Sequence, residues 1–315
     1  MPADVSVISS EKSYAVLIAE STWATVPGSP TRIHAPVTSC NVRYKPKRRN
    51  SQQRVGLFQR KYGRNVSGHP SGNIVTPLYG WIPTGLTGVS LAQWLMEWGF
   101  LDQEEKFPRS KILEWAEGPD VANSQHLGLR VNSATLAGSA DNGISLTLDL
   151  VGHSSVNLAS ANALPANRNK LVEFLFEDIT FTLDGDVTPI GSFQWQVQRG
   201  LQPQYWDSAT PQSLPKSQWV ETFSVTPPKQ GHDWEDLVRT PGMPEVAASL
   251  VLKGLHNGTG TALTDWTILT VTYPRLSLID ADEQESNGIY NEPLSFDVLK
   301  PDTSDLSSTM VWTEV

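Results

Sequence analysis

The chain has 315 residues and a mass of 34.6 kDa, which is enough to bury a large core in one or two domains. Its apolar fraction of 39%, its 23 glycines and 22 prolines and its many short alternating runs favour a β-rich protein with long loops and argue against disorder. Cys40 is the only cysteine, so an internal disulfide is excluded and a reducing compartment is compatible.

The net charge of −9 is unevenly distributed along the chain. The segment 43–64 contains nine of the 24 basic residues and no acidic residue. From Asp280 to the C-terminus, nine acidic residues stand against Lys300 alone. A positive segment and a negative segment on one molecule allow copies to bind head to tail as a ring or filament.

At the N-terminus we expect a polar arm over residues 1–13, followed by a short strand at Tyr14 to Ala19. The apolar run there is too short for a secretion signal or a membrane span, so we expect a protein that is made in the cytosol and does not enter a membrane.

Residues 43–64 show neither helical nor strand periodicity and follow a predicted strand at Thr38 to Tyr44. We expect this segment to be a long exposed loop. Its basic residues are Arg43, Lys45, Lys47, Arg48, Arg49, Arg54, Arg60, Lys61 and Arg64.

One helix is predicted near the middle of the N-terminal half. Ser90 is a suitable N-cap, and the apolar residues that follow it fall at positions i, i+3, i+4 and i+7. These four residues are expected to pack against the back of a sheet: Leu91, Trp94, Leu95 and Trp98.

Residues 127–205 read as two successive β-hairpins. In the first, Leu127 to Val131 leads to the turn pair Asn142-Gly143, and every second residue from Ile144 to Leu150 is apolar. The apolar phase slips after Val131, which predicts a β-bulge near Asn132.

The second predicted hairpin pairs the alternating run Ile179 to Leu183 with the run Phe193 to Val197, across a turn at Asp184-Gly185-Asp186. Further strands are expected at Val220 to Val225, around Leu250 to Leu255, at Ile268 to Tyr273 and at Leu294 to Val298.

The polar residues of these hairpins form two faces that are almost uncharged. The faces could look onto a crowded polar space, or could be ordinary solvated sheet surface. Their residues are Ser145, Thr147, Asp149, Gln194, Gln196 and Gln198.

The sequence shows no catalytic or cofactor signature. Six scattered histidines lack metal-ligand spacing, and no nucleophile elbow, phosphate loop or dinucleotide fingerprint occurs. We therefore expect neither a cofactor nor enzymatic activity. Eleven tryptophans leave open a carbohydrate-binding β-sandwich.

The basic segment permits three interpretations. Aromatic residues between its cations, such as Tyr44 and Phe58, are compatible with binding of nucleic acid. The segment could also be merely solvated, or could dock on the acidic region of a neighbouring copy. The third interpretation explains both charged segments with one cause.

The order of features resembles the tail tube proteins, also called major tail proteins, of long-tailed bacteriophages. The resemblance spans roughly residues 14–275. It rests on the stretches Glu20 to Pro27, Ser67 to Gly72, Arg130 to Ser133, Gly143 to Leu148 and Ile190 to Tyr205, taken in order with the long segment and the helix.

The resemblance implies a mainly β fold, a β-sandwich or partial barrel with one flanking α-helix and long loops. The tail-tube domain would span 14–279, and the acidic extension 280–315 could be an arm, an added strand or an outer decoration. The family pattern implies hexameric rings that stack into a tube, with residues 43–64 reaching the adjacent ring. Because a DNA conduit should not hold phosphates strongly, we expect the two polar faces to line the lumen.

The resemblance also implies where and with what the protein works. The chain would be assembled in the host cytoplasm and end in the virion tail, next to the tape measure, the terminator and the baseplate side. DNA would be only the passing cargo of the tube.

Overall fold

The computed structural model describes residues 14–50, 63–83, 85–102, 105–116, 123–158, 173–229, 234, 238, 245–256, 265–281, 284–286, 289–301 and 306–314. The predicted N-terminal arm, 1–13, lies outside these residues. Within the described residues the fold has one α-helix, α1 (Leu91–Phe100), a short 3-10 turn (Phe176–Asp178) and nineteen strands. The strands are β1 (Tyr14–Ala19), β2 (Ile33–Ala35), β3 (Ser39–Cys40), β4 (Arg43–Asn50), β5 (Gly63–Pro77), β6 (Lys111–Ala116), β7 (Asn123–Ser139), β8 (Gly143–Val151), β9 (Ser154–Leu158), β10 (Thr180–Leu183), β11 (Asp186–Val187), β12 (Ser192–Gln198), β13 (Val220–Thr226), β14 (Glu245–His256), β15 (Asp265–Ala281), β16 (Gln284–Ser286), β17 (Ile289–Asn291), β18 (Leu294–Val298) and β19 (Thr309–Glu314).

Twelve of the nineteen strands form two packed antiparallel layers, and the first half of β7 pairs separately in the order β2, β1, β6, β7, β9. Sheet I runs in the order β4, β5, β8, β7, β12, β13, β18, and sheet II in the order β11, β10, β14, β15, β19. Strand β15 joins the layers because its first half pairs with β19 and its second half pairs with β18. The result is the predicted mainly β sandwich, curled into a partial barrel.

The core lies between the layers and is rich in aromatic residues. Trp195 of sheet I contacts Tyr273 of sheet II edge-on, with ring centroids 5.6 Å apart, and stacks at 3.9 Å on Phe100 from α1. All three side chains are almost completely buried. The helix and sheet II therefore both pack against the inner face of sheet I.

The predicted helix is confirmed. The Ser90 side chain accepts a hydrogen bond from the Gln93 N–H, as expected for an N-cap. No helix among the described residues has the length and apolar character needed to cross a membrane.

The first predicted hairpin is also confirmed. Strands β7 and β8 pair across a turn in which Gly143 has a φ of 66°. The register shifts between Val131 and Ser133, which places the predicted bulge at Asn132.

The second predicted hairpin is wrong in its pairing. The turn at Asp184 and Gly185 does reverse the chain, but β10 pairs with the two-residue β11 and with β14. Strand β12 instead pairs with β7 and β13. Alternation identified each strand correctly, but it does not specify which strand lies beside which.

The irregular loop expected at 43–64 is also corrected. Strand β4 pairs with β5 from Arg43 and Ser71 to Asn50 and Gly63, so both sides of the segment are extended strands. The sequence periodicity did not reveal these strands. A hairpin that projects from the core is polar on both faces, so its apolar and polar residues do not alternate. Arg54, Arg60 and Lys61 lie outside the described residues.

The acidic C-terminal region is built into the sheets. The predicted strand at Leu294 to Val298 is confirmed as β18, and its Leu294 and Phe296 are fully buried in the core. A further strand, β19, pairs with β15. Strand β15 itself crosses position 280 and ends at Ala281.

Candidate assembly surfaces

The outer face of sheet I is open and polar from β5 to β18. We call it the polar face and define it by the outward residues Asn73, Val75, Pro77, Ser133, Thr135, Ala137, Ser145, Thr147, Asp149, Gln194, Gln196, Gln198, Thr222, Ser224, Ser295 and Asp297. These positions hold two aspartates and no lysine or arginine.

The structure brings the two predicted polar groups together on this face. Strand β7 lies between β8 and β12, so the six residues are connected in three cross-strand rows through Ser133, Thr135 and Ala137. The rows pair Asp149 with Gln198, Thr147 with Gln196 and Ser145 with Gln194. Sequence reasoning found the residues but assigned them to separate hairpins.

Asp149, one of the two charged residues of the face, is held in a hydrogen-bond network. The Ser133 hydroxyl donates to Asp149 Oδ2 at 2.5 Å, and the Ser192 hydroxyl donates to Thr226 Oγ1 at 3.1 Å next to the face. Uncharged amides and hydroxyls thus dominate the surface, and its only formal charge is negative.

A basic hairpin projects beyond one end of sheet I. Strand β8 ends at Val151 opposite Ser71, while β5 extends further as residues 63–70, paired with β4. Arg43, Lys45 and Lys47 of this hairpin are exposed. We call this the basic end of the sheet.

The loop 201–215, here the brace loop, supports the basic hairpin. The Gly68 N–H donates to the Ala209 carbonyl at 3.0 Å, and Tyr205 Oη lies 2.5 Å from His69 Nδ1. The Lys47 ammonium lies 4.9 Å from the centroid of the Tyr205 ring. These contacts fix the direction in which the hairpin leaves the sheet.

The surroundings of His69 favour a neutral imidazole. Burial lowers the pKa of His69, and the nearby charges of Lys47 and Lys45 lower it further. A neutral ring can accept a hydrogen bond from the Tyr205 hydroxyl at Nδ1, so this contact is compatible with the cations around it.

Arg199 connects the helix and the bulge. Its guanidinium is fully buried and donates to the carbonyls of Trp98, Leu101 and Val131. Its backbone N–H donates to the Asn132 carbonyl at 2.8 Å. Burial lowers the pKa of Arg199 to about 10, although the charge of Asp102 opposes this shift. No sequence motif marked this residue, because its partners are main-chain carbonyls.

The predicted helix residues lie where the helix meets the core. Leu91, Leu95 and Trp98 are almost completely buried, and Trp94 is half-buried. The Lys111 ammonium lies 3.4 Å from the Trp94 ring centroid, and burial lowers the pKa of Lys111 to about 7. The tryptophan stripe therefore packs internally and presents no open platform.

The opposite end of sheet I, at the β7–β8 turn, is here called the turn end. Asp141 and Asp280 are exposed there, together with Glu285 from the β16–β17 hairpin, against the exposed cation Lys229. Among the described residues, acidic side chains thus outnumber basic ones at the end opposite to the basic hairpin. Among the described residues, no three His, Cys, Asp or Glu side chains are placed to hold a metal ion.

The described residues thus form a mainly β subunit with an extended polar face and oppositely charged ends. The chain belongs to the phage tail tube protein family, whose sequence model matches residues 10–273. It is a structural component of the phage virion tail. No curated protein matches the chain significantly.

Proposed function

We propose that six copies of this chain close into a ring, that rings stack into the tail tube, and that the polar face lines the conduit for the genome. The subunit acts as a structural element without enzymatic activity. The main support for this proposal is that the polar-face positions hold no lysine or arginine.

A conduit for DNA must not hold the phosphates that pass through it. Proteins bind the DNA backbone mainly with lysine and arginine, and each neutralised phosphate adds to the affinity. The polar face offers amides, hydroxyls and the carboxylates of Asp149 and Asp297. Such a surface stays hydrated and repels phosphate weakly, so it allows the genome to slide.

The two ends of sheet I favour stacking in one direction. The basic end with Arg43, Lys45 and Lys47 would face the turn end with Asp141 and Asp280 of the next ring. Unlike surfaces at opposite ends give a heterologous contact, which repeats without limit along an axis. The segment 43–64 would therefore reach the adjacent ring.

The same arrangement suggests which other tail proteins would contact the tube. The first and last rings would present one unmatched end each, to the terminator on one side and the baseplate on the other, and the lumen would hold the tape measure before ejection. Assembly would take place in the host cytoplasm.

Accessibility of a single cysteine tests which face lines the lumen. In a Cys40→Ser background, Gln196→Cys should react with a bulky polymer maleimide as a free subunit and become protected in tubes. Thr313→Cys on the outer side of sheet II is the matched control and should stay reactive in both states. Equal reactivity of Gln196→Cys before and after assembly would place the polar face elsewhere.

A further inference from the structure

One tryptophan differs from all the others in its exposure. Ten of the eleven tryptophans are buried or half-buried, whereas Trp206 is 71% exposed. A large aromatic side chain in water is costly unless a partner covers it, and tryptophan is the residue type most often responsible for binding energy at interfaces.

The chain also holds Trp206 in an unusual conformation. Its φ is 40°, in the left-handed region that a bulky residue rarely adopts. The turn around it is fixed by hydrogen bonds from the Ser208 N–H to the Tyr205 carbonyl at 2.7 Å and from the Gln204 N–H to the Ser213 carbonyl at 3.0 Å. Strain of this kind concentrates at functional sites, and a pre-ordered backbone reduces the entropy that is lost on binding.

A groove large enough for an indole ring lies on sheet I, at the end opposite to the brace loop that contains Trp206. It has a volume of about 400 Å³ and lies near the β7–β8 turn. Its lining is uncharged and includes Ala137, Ser145, Ser192, Phe193, Gln194 and Ser224. Small side chains on four neighbouring strands leave this hollow, and its volume exceeds that of an indole ring.

The positions of Trp206 and the groove suit a contact between stacked copies. The brace loop joins the basic end, where the Leu201 N–H donates to Asn132 Oδ1 and Arg130 donates to the Leu214 carbonyl. The groove lies along the Ser145, Ala137, Gln194 and Ser224 row at the turn end of the polar face. Stacking that brings the basic end of one ring onto the acidic turn end of the next brings these two features together.

We propose that Trp206 of one copy inserts into the groove between Ser145 and Ser224 of a copy in the adjacent ring. This inference rests on the proposed tube and specifies its ring-to-ring contact. Charge attraction between the ends would orient the rings, and the buried indole would slow their separation.

Two variants test the two halves of the contact. Trp206→Ala removes the inserted side chain, and Ser224→Phe fills the groove. Each should fold like the wild type and raise the protein concentration needed for tube growth tenfold or more. Val187→Ala, which truncates another exposed apolar side chain, and Thr313→Phe, which adds a phenyl ring on the outer side of sheet II, are the matched controls and should grow tubes normally.

Mixing the variants tests the direction of the contact. Rings of Ser224→Phe keep the tryptophan, and rings of Trp206→Ala keep the open groove. The mixture should therefore give stacks of two rings, whereas each variant alone gives single rings.

The outcomes separate this inference from the function on which it rests. Normal tube growth by both variants, with wild-type tubes present, would overturn the Trp206 contact and leave the tube proposal intact. Failure of the wild type to form tubes would overturn both. If one variant loses stability in a melting control, the other still decides the result.

Discussion

Replacing Arg199 by methionine tests how the fold positions the assembly surfaces. The buried guanidinium donates to the carbonyls of Trp98, Leu101 and Val131, and methionine fills a similar volume without donating. Each buried acceptor left without its donor costs ~1–3 kcal/mol. Release of the buried charge offsets part of this loss, since the fall of the pKa of Arg199 from 12.5 to about 10 corresponds to roughly 3 kcal/mol.

The net expectation is a loss of about 3 kcal/mol in the free energy of unfolding. Urea unfolding measures this loss, provided that the dependence of the unfolding free energy on urea is unchanged. Arg275→Met is the matched control, because its salt bridge with Glu245 is solvent-accessible and should contribute little to stability. A stability of Arg199→Met within 1 kcal/mol of the wild type would refute the role of Arg199 as the junction of helix and sheet.

Two further predictions concern residues that contact the chain at the start of β4, next to Asn41 and Arg43. Burial and the charge of Arg43 lower the pKa of His126 to about 4, so the unfolded state binds more protons between pH 6.5 and 4 and stability falls as the pH falls through this window. His126→Gln should remove up to about 3 kcal/mol of this acid dependence. The measured quantity is the difference between the unfolding free energies at pH 7 and pH 4.5. If this difference is the same in the variant and the wild type, the prediction for His126 is wrong. Gly72 has a φ of 152°, and an added Cβ would lie 2.5 Å from the Asn41 carbonyl oxygen, so Gly72→Ala should lower stability by ~1–3 kcal/mol and reduce tube growth. Gly28→Ala, in open space, should leave the melting temperature unchanged, and equal behaviour of the two variants would count against this reasoning.

Local patterns in the sequence predicted the elements well but not their partners. The slip of apolar phase at Asn132 correctly located a bulge, because a bulge is a property of one strand and its neighbour in a hairpin. The pairing of β12 with β7 joins residues 192–198 to 133–139, and alternation carries no information on contacts at that distance.

The candidate surfaces were predictable to different degrees. The glutamines of β12 and the polar residues of β8 were visible as polar faces, yet only the intervening β7 shows that they form one surface. Trp206 and Arg199 gave no signal in the sequence. Exposure of a tryptophan, and burial of an arginine among main-chain carbonyls, become visible only after the chain is folded.

Electron microscopy of the purified wild-type protein over a range of concentrations shows directly whether the subunit assembles with itself into a tube. We expect rings of six subunits at low concentration and stacked tubes with a continuous lumen at high concentration, without added ligand. A protein that stays monomeric at every concentration, with no rings or tubes, would contradict this expectation.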